Sequence, residues 1–240
     1  MIREIRKKII VLGNRLPFAQ HTKDYIDHLE RIDWIYMNLA LDGSPLTRDN
    51  VEGILQGEMV LTARIMDHVL IERLDRLQAM IYACAGADEA ISNVLAARFA
   101  FEFCDGDIEA AQLRKSTPTL QQFSYTPVLP VYILPQLTQL LADADWQGEF
   151  DNPFLKAARL HNGFMAIWPY KENNEVLARA LMEYYLVKQG FPMVPLEMTE
   201  TEYNSQFVSY IKTGDCTFLA DSLARAVHDR LELMIQLTAY

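Results

Sequence analysis

The stretch Ala157 to Arg179, AARLHNGFMAIWPYKENNEVLAR, decides how the chain is read. Leu160, Phe164 and Ile167 recur at helical spacing, then WPYKENNE interrupts, and a second apolar-periodic run begins near Asn174. A short polar loop feeding a helix start is a ready anion site, because free backbone N–H groups and the helix dipole face the ligand. Asn173 and Asn174 stand at that start. Glu172 offers a hard carboxylate to a divalent cation beside a bound phosphate, and Arg179 reaches a phosphate with a two-pronged guanidinium. The same residues also suit a plain helix–loop–helix corner with a solvated glutamate and a surface arginine. Chemistry alone leaves both open.

Outward from this stretch the periodicity stays helical. Met59–Cys84 sets Leu61, Ile65, Val69, Leu70, Leu74, Leu77 and Ile81 at three- and four-residue steps. Helical patterns also cover Tyr25–Leu41, Asp49–Gln56, Asp88–Phe103, Pro130–Ala144, Asn152–Ala166, Asn174–Lys188, Thr201–Lys212 and Thr217–Thr238. Gly190 and Gly214 follow as stop signals. Strand alternation is confined to Thr117–Thr126, where a short hairpin is expected. The pattern predicts an all-α fold, a bundle of about eight or more helices in one domain over residues 1–240.

Composition narrows the function. The chain has 240 residues, 22 basic against 32 acidic, a net charge of −10 and half its residues hydrophobic. At this length roughly 70–75% of the unfolded surface is buried, so the core needs no metal or disulfide. The acidic balance argues against a nucleic-acid partner. Ser116–Ala142 is uncharged but broken by Pro118, Pro127, Pro130 and Pro135, which argues against a membrane span. The basic N-terminus has an apolar run, Ile9–Leu12, too short for a signal-peptide core. Three cysteines without CxxC spacing fit buried thiols, and a cytoplasmic location is expected.

The order of residues in the opening stretch resembles the Fic (Fido) family, whose pattern reads HxxFxxIHPFx[D/E]GNGRxxR. His161, Phe164, Ile167, Pro169, Glu172, Asn174 and Arg179 match it, and Tyr170 replaces Phe. Leu41–Thr47, LDGSPLT, looks like the family's autoinhibitory segment SxxxEGNxLT with Asp42 for Glu. Tyr125-Thr126-Pro127 followed by Pro135-Gln136-Leu137 looks like its substrate flap, and TETEYNSQFVSYIKTGD like its downstream helix. The resemblance implies residues 23–57 as inhibitory-type helices, 59–190 as the core with a flap over 117–130, and 191–240 as closing helices. It implies AMP transfer from ATP to protein hydroxyls, with ATP and Mg as cofactors and a protein target or partner. Asn173, Asn174 and Arg179 are then expected at the nucleotide, Glu172 at the metal, Tyr125 and Thr126 in the flap, and Asp42 as the inhibitory acid.

Four positions depart from the pattern. Trp168 occupies the place of the family's base; an indole donates one N–H and has no acceptor lone pair, so no catalytic residue is intact there. Asn173 and Glu175 replace the two glycines, and Val176 replaces a phosphate-clamping arginine. His161, seven residues before Trp168, is expected to be a packed helix residue. The leading expectation is a degenerate Fic-fold protein, a pseudo-AMPylase acting through a partner or residual nucleotide binding, with a homo-oligomer left open. An active transferase with a rearranged site is one alternative; a non-enzymatic interaction or antitoxin-like module is another. Asp42 is expected within salt-bridge reach of Arg179. The bland alternative has Asp42 capping the Gly43-Ser44-Pro45 turn and Arg179 paired with Glu183, one turn on.

Overall fold

The computed structural model describes residues 1–145 and 152–239. Among these residues ten α-helices carry the fold: α1 (Ile2–Gly13), α2 (Gln20–Leu41), α3 (Arg48–Leu55), α4 (Ile65–Gly86), α5 (Asn93–Phe103), α6 (Pro130–Asp145), α7 (Pro153–Ile167), α8 (Asn174–Lys188), α9 (Glu200–Thr213) and α10 (Thr217–Leu237). Caps explain several of the boundaries. Asn152 accepts from the Phe154 and Leu155 amides at 3.1 and 3.3 Å, with Pro153 at the first helical position. Thr199 and Glu202 form a reciprocal box at the start of α9.

α8 is the centre. From Val176 to Leu186 every residue is buried, so the helix must be surrounded, and α7, α4 and α5 pack around it. α7 in turn lies against α6 and α10. Gly163 permits the α6 approach, because a Cβ there would stand 2.6 Å from Leu140 Cδ1.

The structure departs from the expected pattern most at α4, α1 and the hairpin. α4 begins at Ile65 rather than Met59, because Asp67 Oδ2 accepts the Arg64 amide at 2.8 Å and closes the helix start there. That leaves Leu61 92% exposed. α1 was not foreseen: its apolar Ile2, Ile5, Ile9 and Leu12 sit among basic residues, and Ile5 and Leu12 are buried with the helix packed on α10. The hairpin over Thr117–Thr126 reduces to one bridge, Leu120 to Tyr125, around a 3-10 turn at Gln121–Phe123. Pro118 and Pro127 flank it without ladder donors, and Ser124 turns the chain with φ 49°.

Candidate functional site

Asp42 reaches Arg179 through the way α2 ends. Gly43 adopts φ 75°, its amide donates to Ala40 O at 3.1 Å, and the Ser44 amide donates to Leu39 O at 2.9 Å. This is a Schellman closure, which needs a left-handed residue just beyond the cap. Asp42 is the cap itself. Its carboxylate stands at the negative end of the helix dipole, an unfavourable place unless a cation meets it. Arg179 does: Nη2 donates to Asp42 Oδ1 and Oδ2 at 2.7 and 2.8 Å. Gly43 is confined further, since a Cβ would lie 3.0 Å from Glu200 Oε2. Gly43→Ala is expected to cost about 1–2 kcal/mol, read as a lower urea midpoint at unchanged slope.

Arg179 is fully buried. Its Nε donates to Asn38 Oδ1 at 2.7 Å, and its guanidinium carbon lies 5.4 Å from the centre of the Tyr203 ring. Asn38 is held in turn by donating to Trp34 O at 2.9 Å. Burial opposes the guanidinium charge, but the Asp42 carboxylate and the Tyr203 and Glu175 side chains outweigh it, so its pKa is raised. Nη1 has no hydrogen-bond partner. Glu183, the other partner the sequence allows, is not bonded to Arg179.

The loop between α7 and α8 is bound at both ends. Trp168 takes φ 50° and ψ 62°, and its amide donates to Phe164 O at 2.8 Å, ending α7. A bulky residue held left-handed costs about 1–2 kcal/mol, so something must hold it. Arg114 does so. Its Nε donates to Trp168 O at 2.7 Å, Nη2 to Ile167 O at 3.2 Å and to Val128 O, and Nη1 to Ser116 O at 2.8 Å. One buried arginine thus complements the C-terminal dipole of α7 and pins both roots of the flap. Burial lowers its pKa.

Trp168 is 8% exposed, and its ring packs edge-on to Phe123 of the flap, centroids 6.2 Å apart; Phe123 meets Phe207 of α9 at 4.9 Å. Tyr125 lies beside it and donates its hydroxyl to Ala166 O at 3.1 Å, while Thr126 is exposed. At the other end Asn174 turns its side chain back on the loop, accepting from Tyr170 N and donating to Tyr170 O, both at 2.9 Å. Asn173 takes φ 64° and donates to Cys104 Sγ at 3.7 Å, leaving the α8 start without a side-chain cap.

Glu172 points outward, with 64% of its side chain exposed and Lys171 Nζ 3.8 Å away. Glu175 sits nearer the centre: burial raises its pKa, Asp42 and Glu200 raise it further, and Arg179 opposes them. Val176 is buried and brings no charge to the start of α8. The structure therefore brings Asp42, Arg179, Glu175 and Tyr203 together and sets Glu172 apart from them. Among the described residues no group of three or more His, Cys, Asp or Glu side chains is arranged to hold a metal ion.

His161 is fully buried. Its Nε2 meets Tyr203 OH at 2.7 Å and its Nδ1 meets Asn162 Oδ1 at 2.8 Å. With Asn162 accepting, Nδ1 carries the proton and Nε2 accepts from the tyrosine. Burial pushes the imidazole pKa down to about 3, so it stays neutral. Asn38, Tyr203 and Arg114 are the residues sequence reasoning missed. Asn38 carried a usable signal, lying four residues before Asp42 on one helix face.

Residues 95–186 match the family model described as the Fic/DOC family. A protein adenylyltransferase fic-1 from Caenorhabditis briggsae is 24% identical over 213 residues, which is 84% of this chain and 41% of the relative. Its Caenorhabditis elegans counterpart is 24% identical over 180 residues, 71% of this chain and 34% of the relative. The chain thus spans well under half the length of the curated relatives it matches. Among solved structures, a Fic domain containing signaling protein from Bacteroides thetaiotaomicron superposes with a TM-score of 0.81 at 15% identity, covering 98% of this chain and 97% of that one. Fic-1 (residues 134–508) from C. elegans gives 0.81 at 19% identity, covering 99% and 72%. At these identities the superpositions speak for the fold alone, and the matched segment holds the loop and arginine described above: residues 95–186 fit the Fic/DOC family model, and the chain as a whole has the fold of Fic-domain proteins.

Proposed function

We propose that this chain is a degenerate Fic-fold protein that regulates through a protein partner or through weak nucleotide binding, without transferring AMP. The observation that carries the proposal is Trp168 at the position of the proton acceptor. Its ring is packed against the flap, and an indole cannot take a proton from an attacking hydroxyl, which alone costs about 10²–10⁴ in rate. His161 offers no substitute, being buried, neutral and committed to Tyr203 and Asn162.

A triphosphate with its magnesium does not fit the residues as they stand. The arginine that would meet the terminal phosphate is engaged by Asp42 and Asn38. Val176 contributes no charge, and Glu175 adds a carboxylate beside the same arginine. No transfer step is therefore assigned. No side chain caps the start of α8, which supports residual binding of an anion there once the plug withdraws.

Reversal of the sequence departures tests this reading. Trp168→His alone is expected to leave the protein unlabelled by ATP carrying radioactive α-phosphate, because Glu175 and Val176 persist. Adding Glu175→Gly, Val176→Arg and Asp42→Gly is expected to produce covalent label. Label with Trp168→His alone would show that the other departures matter little. Label on the unaltered protein would overturn the proposal.

A further inference from the structure

A second charged cluster, distinct from the arginine site, draws its groups from α2, α4, α8 and α10. Glu183, one turn beyond Arg179 on α8, is fully buried, and neither carboxylate oxygen has a hydrogen-bond partner. Glu30, three turns before Asp42 on α2, is 8% exposed and accepts from Tyr82 OH of α4 at 2.5 Å. Asp27 and Asp33 of α2 add negative charge near Glu30. The cation facing both glutamates is Arg230 of α10, and its Nη2 already donates to Asp33 at 2.6 Å. Asp33 takes a second partner, Arg48, at 2.8 Å. The Val194 backbone favours a charged Glu183 but lies outside hydrogen-bond geometry.

An ionised carboxylate without a donor is far too costly in such a place, so Glu183 holds its proton. Ionisation of both carboxyls would put two like charges into a space with one shared cation. The same two helices carry the plug: Asn38 and Asp42 lie two and three turns beyond Glu30, and Arg179 one turn before Glu183. We propose that Glu30 and Glu183 form a proton-dependent latch, which holds α2 against α8 while protonated and lets α2, with its Asp42 plug, loosen as the pair ionises.

The direction follows from linkage. Burial raises both carboxyl groups, Glu30 from 4.5 to about 7 and Glu183 well above 4.5. Groups whose folded pKa is raised contribute stability that is complete below the unfolded value and is lost as pH rises through the folded one. The closed arrangement is therefore favoured in acid and weakened above about pH 7.

The latch rests on Asp42 being the plug only for its consequence, so its test needs no nucleotide. Hydrogen–deuterium exchange of the whole chain is measured near pH 6 and near pH 8, with labelling times scaled to the intrinsic rates. Protection of residues 34–42 is expected to fall about tenfold between them, one pH unit past the folded pKa, while α7 and α10 keep theirs. Glu30→Gln, which imitates the protonated form of the group that titrates near pH 7, is expected to abolish that fall, and Glu183→Gln is expected to lessen it, which keeps the test open should the first variant fail to fold. Asp42→Ala is expected to keep it. An equal fall in the glutamine variants, a uniform fall across all helices, no fall in the unaltered chain, or its loss in Asp42→Ala would each overturn the latch. Failure to bind ATP would touch only the functional proposal above.

Discussion

Arg114→Ala should cost about 3–5 kcal/mol, a fall of roughly 6–20 °C in melting temperature for a chain of this size. The guanidinium serves four carbonyls, those of Ser116, Val128, Ile167 and Trp168. Truncation leaves those groups short of donors in an enclosed space, and the dipole of α7 loses its compensating charge. Trp168, held left-handed, loses the anchor on its carbonyl at the same time. Arg114→Lys should recover only part of the loss, because one ammonium cannot span the fork's four acceptors. Thermal unfolding of the three proteins decides it: a fall within about 1 °C for the alanine variant would mean that the flap and the loop hold each other without the arginine.

Asp42→Ala carries the second large effect. From sequence an exposed pair would be worth about 1 kcal/mol or less. In the structure Arg179 is fully buried and 31% of the Asp42 side chain is exposed, so removal of the aspartate leaves a buried cation with Asn38 and the Tyr203 ring for company. Water entering from the Asp42 side moderates this, and a loss of about 2–4 kcal/mol is expected. The freed guanidinium should raise affinity for ATP about tenfold or more, equivalent to about 1.4 kcal/mol of relieved competition, measured by calorimetry at fixed salt. A variant that unfolds more easily yet binds no better would separate the ion pair's structural role from any inhibitory one.

Much of this was legible in the sequence because α7, α8 and the loop between them are local features. His161, Phe164 and Ile167 fix one helix face, and the pairing of Asp42 with Arg179 follows from matching two short segments to one family pattern. Other features were not legible for physical reasons. Arg114 lies in a run, QLRKS, that reads as solvated loop, and its role depends on four carbonyls that no residue type announces. The hairpin was overestimated because alternation in Thr117–Thr126 gave the right turn while its prolines denied it a ladder. α1 was overlooked because dense basic residues mask Ile2, Ile5, Ile9 and Leu12, whose spacing becomes meaningful only when α10 supplies the opposite face. Glu183 reads as an ordinary helix glutamate, and only packing shows that it is enclosed.

Incubation of Asp42→Ala with ATP labelled at the α-phosphate, in the presence of Mg²⁺ or Mn²⁺, tests the central claim most directly. The variant removes the carboxylate that engages Arg179 and leaves Trp168 in place, so the two proposed obstacles, one to the nucleotide and one to proton abstraction, are separated. The expected result is tighter ATP binding with no covalent label on the chain or on added proteins above that of a heat-treated control. Covalent label that grows with time on the Asp42→Ala protein or its targets would show that the site transfers AMP despite Trp168, and would contradict the account.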